Sequence, residues 1–292
     1  MPASFAKDLC GYRDHGKPNT SDRSKKDSVA LGIALFEALG VPHDAQGQDE
    51  TGLPFATKVA DDLRERVRAV GVLHRVQPEQ ALNEFQQYRH VGALNELAIE
   101  PSKGYLKAWK RLTLEVTRRV TGPPASVRRA SAMIDDVEAA VAAEVDDRRR
   151  VVYEMGTESL LNLDVTVADA QYGRLPELEI GLSLKWSLRT DRAQDCRSQG
   201  AKLSALRRGR MPHFAAVTME PRPYMLNLLG GGSGDVDCVY HLDLPALTLA
   251  IESVYGGKHD KSSRRTVGTF QRLVEQRRLR DYDELVDVAI SL

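Results

Sequence analysis

The stretch LEIGLSLKWSL, residues 178–188, is almost continuously apolar for the length of a strand and then breaks into Arg189-Thr190-Asp191-Arg192. A run of that kind needs cover on both faces, so it predicts a strand inside a layered sheet rather than one with a wet face. The preceding SLLNLDVTVAD, residues 159–169, alternates and is rich in Leu and β-branched residues, which predicts a second strand. AQYGRLPE, with Gly173, reads as the turn joining the two into a hairpin. Beyond the polar seam a helix is expected from about Asp191 to Arg208, stopped by Gly209. HFAAVTME is a third strand ended by Pro221 and Pro223, LLGGGSGDVD a glycine-rich loop, and CVYHLD a fourth, short strand. Two helices, PALTLAIESVYGG and RRTVGTFQRLVEQRRLR, are expected to close the chain.

The first half carries the 3.6-residue period instead. DSVALGIALFEALG, LPFATKVADDLRERVRAVG, QPEQALNEFQQYRHVGALNELAI, SKGYLKAWKRLTLEVTRRV and the long segment from Pro123 to Arg150 all read as helices. The expected fold class is therefore α/β. A central mixed β-sheet flanked by helices occupies about 151–292, behind a helical N-terminal half at 1–150. No Pro-rich or Ser/Gly-rich linker divides the chain, which favours a single domain over 1–292.

Composition excludes several function classes. With 42% hydrophobic and 28% charged residues, the chain has the balance of an ordinary globular protein. It lacks an apolar run of about 18 residues that would span a bilayer, and MPASFAKDLCGYRDHGKPN has no apolar leader region, so a cytoplasmic protein is expected. The three cysteines, Cys10, Cys196 and Cys238, are widely spaced and form neither a disulfide framework nor a CxxC site. The net charge of zero argues against indiscriminate coating of nucleic acid. Basic clusters at 148–150, 207–210, 264–265 and 277–280 could still face phosphates locally, or simply be solvated faces.

The hairpin would set Asp164 beside Lys185 near one sheet edge. Metal-assisted phosphodiester cleavage needs a hard oxygen ligand for Mg²⁺ and a cation close to the attacked phosphate, and this pair supplies both. A structural ion pair would use the same two residues. Glu179 shares a strand face with Ser183 and Lys185 and is a reserve ligand. The seam offers a second chemistry. Arginine is bidentate to guanine O6 and N7 and a carboxylate accepts from cytosine N4, so Arg189, Asp191 and Arg192 at a helix start could read G·C-rich DNA in the major groove. The plain structural reading has Thr190 or Asp191 capping the helix and the arginines pairing with acids. The loop GGGSG is not a phosphate-binding loop, because no Lys-Ser/Thr follows it.

Three segments, SLKWSLRTDRAQDCRSQGAKL, RRGRMPHFAAVTMEP and GSGDVDCVYHLDL, resemble the NgoMIV-type family of type II restriction endonucleases, whose members cut around a CCGG core. Weaker likeness runs through DSVALGIALFEALG, TGLPF, FQQYRHVGALNELA and RLRDYDELVDVAI, so it covers most of the chain. The resemblance implies a PD-(D/E)xK core, Mg²⁺ dependence and cleavage of double-stranded DNA, with GCCGGC as the site. It also implies a homotetramer engaging two DNA sites and a cognate DNA methyltransferase in the same system. A palindromic target by itself asks for at least a dimer. By the same resemblance Asp164 is the metal-binding strand aspartate, Ser183 and Lys185 form the SxK half-motif with Lys185 catalytic, and Arg189, Asp191 and Arg192 read the CCGG bases.

Departures accompany the likeness. Gln199 stands where the family places a metal-supporting Glu, Ala56 stands where it places another acid, and the spacing from Asp164 to Lys185 is shorter. The site could be rebuilt with Glu179, Asp61 or Glu220. Tyr224 and Met225 fall at the family's outer-base position, with Arg222 nearby, which makes the CCGG core a firmer expectation than the flanking pair. Two alternatives stay open: a DNA-binding protein of this fold that has lost cleavage, and a nuclease of altered flanking-base or methylation specificity.

Overall fold

The computed structural model describes the whole chain except residues 1–2, 23, 48–51, 92–99, 156–160, 170–172 and 233, and the side chains of 154 and 155. In chain order come α1 (Ala6–Leu9), a ribbon of β1 (Tyr12–Arg13) and β2 (Lys17–Pro18), α2 (Lys26–Leu39), α3 (Gly52–Ala69) and β3 (Arg75–Ala81). Then follow α4 (Lys103–Arg119), α5 (Pro124–Met155), β4 (Asn162–Asp169), β5 (Glu177–Lys185), α6 (Thr190–Leu206) and β6 (His213–Thr218). The chain ends with α7 (Pro223–Gly230), β7 (Cys238–His241), α8 (Leu244–Tyr255), α9 (Lys261–Glu275), β8 (Leu279–Asp281) and α10 (Tyr282–Ser291). None of the described helices is long and apolar enough to cross a membrane.

Met1–Arg89 and Leu161–Leu292 form one compact unit, and His90–Leu160 a second. The second contains α4 and α5. Its first helix is capped by Ser102, whose hydroxyl accepts from the Tyr105 N–H at 3.1 Å, and Trp109 Nε1 donates to Glu138 at 3.1 Å between the two helices.

The first unit holds a six-stranded sheet in the order β3-β4-β5-β6-β7-β8. The β3–β4 and β4–β5 pairs are antiparallel, whereas β5 through β8 run parallel, so the sheet is mixed as the sequence predicts. Parallel strands must be linked by crossovers, and α6, α7 and the α8–α9 pair supply them. Ile180, Leu182, Phe214, Ala215, Val217, Val239 and Tyr240 are buried and form the sheet's share of the core. Each large apolar side chain among them contributes about 1.5–3 kcal/mol by leaving water. Gly200 lets α6 close on this core: a Cβ there would stand 1.7 Å from the Asp235 carbonyl oxygen and 2.8 Å from the Phe214 ring.

One expected helix is a strand. Within QPEQALNEFQQYRHVGALNELAI, residues 77–81 belong to β3, residues 82–84 and 86–88 are single 3₁₀ turns, and 92–99 lie outside the described residues. The N-terminal half is thus not purely helical. Pro78 is accommodated because β3 is an edge strand. Buried Leu82, Phe85 and Tyr88 follow one another at every third position, which suits 3₁₀ turns laid on the sheet as well as a helix. Gln87 completes the arrangement: its side chain donates to the Leu178 carbonyl at 2.8 Å and accepts the Leu178 N–H at 2.9 Å. The glycine-rich loop starts only at Gly231, because Leu228–Gly230 finish α7.

Candidate active site

The β4–β5 hairpin does what the spacing predicts. Val165 pairs with Leu182, and Gly173 adopts a left-handed φ of 81° in the connecting segment. Asp164 Oδ2 accepts the Leu184 N–H at 2.5 Å and lies 3.7 Å from Lys185 Nζ. Both side chains are largely buried, at 24% and 15% exposure, where β5 ends. Asp195 of α6 also places Oδ2 near this ammonium, at 3.4 Å. Lys185 is therefore held between two carboxylates from two different elements.

A third acid stands close by. The β3–β4 register runs unbroken, Pro78 with Val165 and Gln80 with Leu163, which sets Glu79 opposite Asp164, with a left-handed φ of 52°. Burial, and then the charge of Asp164, raise the Glu79 carboxyl above the usual range, with Lys185 acting against them. Ser183 is fully buried on the Lys185 face of β5, and its Oγ has no hydrogen-bond partner among the described residues. Gln199 Oε1 is likewise a buried oxygen without one.

Above Lys185 opens a cleft of about 800 Å³. The start of α3 forms one wall with Gly52 and Phe55, Trp186 lies at its base, and α6 forms another wall with Asp191, Arg192 and Asp195. Trp186 is fixed by an edge-on contact with Phe55, centroids 5.5 Å apart, and by its Nε1 donating to Asn19 at 3.1 Å.

The seam differs from the expected capping. Arg189 is the N-cap, in extended backbone, and no side chain caps α6; Thr190 and Asp191 are already helical. Asp191 instead accepts from Arg189 at 2.9 and 3.3 Å, an exposed fork that holds its carboxyl below the ordinary range. Arg192 donates to the Ser187 carbonyl at 3.4 Å. Three exposed side chains thus crowd the start of α6, the first of them, Arg189, four residues beyond Lys185.

Of the sequence-predicted residues, Asp164 and Lys185 come together, Arg189, Asp191 and Arg192 gather at the head of α6, and Gln199 lies one turn past Asp195 on the same helix. The three reserve acids are engaged elsewhere. Glu179 pairs with Arg210 at 3.0 Å, Asp61 with Arg64 at 2.5 Å, and Glu220 is wholly buried against Arg222. Sequence reading missed Asp195 and Glu79. The signal for Asp195 was present, since it follows Asp191 by one turn and so shares its helix face. Glu79 meets Asp164 only through the β3–β4 pairing, which a helical reading of its segment hides.

Among the described residues no group of three or more His, Cys, Asp or Glu side chains is arranged to hold a metal ion by itself. Mg²⁺ does not require one, because one or two carboxylates are commonly completed by waters and substrate phosphate oxygens. Asp164 and the unpartnered Gln199 oxygen are both hard-oxygen donors, the chemistry such an ion takes.

Comparison with known proteins adds the following. Residues 131–290, more than half of the chain, match the family described as NgoMIV restriction enzyme. A 119-residue stretch is 36% identical to the type II restriction enzyme NgoMIV of Neisseria gonorrhoeae, covering 40% of this chain and 39% of that relative. The aligned part thus spans well under half of the relative's length.

Proposed function

Because the chain belongs to the NgoMIV restriction enzyme family, we propose that it is a type II restriction endonuclease hydrolysing double-stranded DNA at a palindromic CCGG-containing site, GCCGGC, with Mg²⁺. The observation that carries this reading is Lys185 held between Asp164 and Asp195 at the base of a cleft whose wall is the head of α6. Chemistry and base recognition then occur on the same strand-to-helix connection.

Asp164, with Gln199, would hold the ion. When bound, Mg²⁺ supplies Lewis-acid polarisation of a phosphoryl oxygen and a more acidic water. The protein's own groups do the rest. Asp164, fixed by the Leu184 N–H, keeps the Lys185 ammonium aimed into the cleft. Lys185 orients the attacking water and offsets negative charge as it grows on the phosphate. Asp195 holds Lys185 from the helix side and is exposed enough to release it to an incoming phosphate. Phe55 and Trp186 form a rigid apolar wall that shapes the cleft.

Arg189 and Arg192 donate to guanine O6 and N7, and Asp191 accepts from cytosine N4. The Arg189–Asp191 pair is solvated at both ends, so exchange for base edges loses little, since exposed ion pairs contribute little. A palindrome read by one such helix per half-site calls for a two-fold dimer, and the family likeness supports a homotetramer on two sites. The host's own sites would be protected by a cognate methyltransferase, and enzyme and DNA would share the cytoplasm.

Digestion of plasmids with and without GCCGGC in Mg²⁺, with the ends sequenced, tests the proposal. Discrete cuts within CCGG-containing sites are expected, and intact DNA or random ends would refute it. One observation favours a second reading. The Gln199 position brings no charge to the ion, and Ala56, buried beside Phe55, offers no ligand at all. Sequence-specific binding without cutting in either Mg²⁺ or Mn²⁺ would identify a recognition protein that has lost cleavage.

A further inference from the structure

The buried pair Glu220–Arg222 is not spent on the cleft but on one backbone unit of the seam. Glu220 Oε2 accepts the Leu188 N–H at 2.6 Å, and Arg222 Nη2 donates to the Leu188 carbonyl at 2.6 Å. The two side chains lock each other as well, with Arg222 Nε to Glu220 Oε1 at 2.6 Å and Nη2 to Oε2 at 2.9 Å, while the Arg222 N–H reaches Oε1 at 3.0 Å. Glu220 has no exposure and Arg222 only 6%.

This grip continues the sheet past its last paired residues. Lys185 pairs with Thr218 in the parallel β5–β6 register. Next, the Trp186 carbonyl accepts the Met219 N–H at 3.1 Å. Leu188 is then held by side chains rather than by a neighbouring backbone, and the following residue, Arg189, begins α6 without a side-chain cap. The start of α6 is therefore set from outside the helix. A buried ion pair is a weak source of stability compared with apolar residues of the same volume, and its best-attested use is to fix one geometry among several. Here the geometry fixed is the four-residue step from the lysine to the first readout arginine.

We propose that Glu220 and Arg222 are positioning residues for base recognition: gripping Leu188 by both its N–H and its carbonyl, they set the direction in which Arg189, Asp191 and Arg192 leave the seam. The inference rests on the reading of α6 as the base-reading helix. Neither residue touches DNA in this scheme.

The test uses the full chain, equilibrium binding in metal-free buffer, and two duplexes, one containing GCCGGC and one of the same composition scrambled. Glu220→Gln removes the charge that holds the guanidinium, and Arg222→Lys keeps the charge but loses the fork that reaches Glu220 and Leu188 together. Each variant is expected to bind the specific duplex about tenfold more weakly while affinity for the scrambled duplex stays within about twofold, because phosphate contacts are untouched. A purely structural role would leave the ratio of the two affinities unchanged and lower only the melting temperature, and that result overturns the proposal. So does an Arg222→Lys protein with full discrimination. If neither variant folds, amide exchange on the unaltered protein decides: the Leu188 amide must be among the protected ones in the free protein, and rapid exchange there overturns the clamp. Failure of the unaltered protein to prefer GCCGGC would sink the base-reading assignment itself, and the clamp's role with it.

Discussion

Asp195 Oδ2 lies 3.4 Å from Lys185 Nζ, one helical turn before Gln199. The resemblance implies a carboxylate at 199, where this chain carries Gln, and a carboxylate one turn earlier on that helix reaches the lysine. On the proposed reading, Asp195 would supply part of the charge that Gln199 lacks. Asp164→Asn should abolish detectable cleavage, since it removes the strand carboxylate that contacts the lysine and is proposed to hold the metal. Asp195→Asn should retain specific binding and lower the single-turnover cleavage rate on the order of 10–100-fold, the range for residues that orient a metal-site group. An Asp195→Asn enzyme cutting at the unaltered rate would remove this residue from the site.

The same reasoning makes Gln199 a place where activity can be gained. Gln199 Oε1 is buried and without a hydrogen-bond partner among the described residues, so it is free to serve as an uncharged ligand. Gln199→Glu adds a full negative charge to the ion's surroundings, and charge count is a main determinant of divalent-ion affinity. The Mg²⁺ concentration giving half-maximal cleavage should fall by about tenfold, with the sequence of the cut ends unchanged. Cleavage rates titrated against Mg²⁺ for the two proteins check it, and an unchanged or higher requirement would place Gln199 outside the ion's coordination.

Much of this arrangement was legible in the sequence, for identifiable reasons. The hairpin of β4 and β5 and the helix after it follow from local patterns: an alternating run, an apolar run, and a polar break. Asp164 and Lys185 meet because a hairpin is a local structure whose register its turn sets. What could not be read is non-local or irregular. β3 is built from a polar, proline-containing segment whose sheet partner among the described residues is β4, far along the chain. Glu79 enters the site with that strand, because the β3–β4 register sets it opposite Asp164. Glu220 was legible as an acid near the site but not as a buried one, because its partners Leu188 and Arg222 meet it only after β5 and β6 have paired. Capping failed as a guide at α6 because Glu220 and Arg222, rather than Thr190 or Asp191, hold the backbone that leads into it.

Base readout gives a prediction separate from chemistry. Arg189→Ala and Arg192→Ala each delete a bidentate donor and should weaken binding to GCCGGC on the order of ten- to a hundredfold while sparing scrambled DNA. Cleavage by either variant should spread to sites altered at the corresponding base pair, detectable by sequencing ends from a digested genome. Arg207, by contrast, projects from the far end of α6 and hydrogen-bonds Ser204 there. If it touches DNA at all it touches phosphate, so Arg207→Ala should lower both affinities alike. Equal losses on the two duplexes for the Arg189 and Arg192 variants would make those residues phosphate contacts as well.

The last prediction concerns stability and pH, at the end of the sheet away from Lys185. His213 opens β6, with Nδ1 2.9 Å from Asp237 Oδ2, Nε2 3.0 Å from the Tyr240 hydroxyl, and the Cys238 thiol at 3.9 Å. Burial opposes the charged ring, but the hydrogen bond to Asp237, followed by the contact with Cys238, overcomes it and raises the His213 pKa to about 9. The Asp237 carboxyl is correspondingly held below the ordinary range by His213 and by the Phe214 N–H, against its own burial. A group whose pKa rises on folding stabilises the native state fully below its unfolded value and ceases to do so above its folded one. The His213 contribution is therefore complete below the ordinary imidazole value of 6.5 and is lost as pH rises through about 9. Melting temperature should decline across that window, and His213→Asn should lower it at pH 6 while converging on the unaltered protein near pH 9.5. Thermal melts at half-unit pH steps measure this, and a constant difference between the two proteins across the window would show that His213 carries no proton-linked stability.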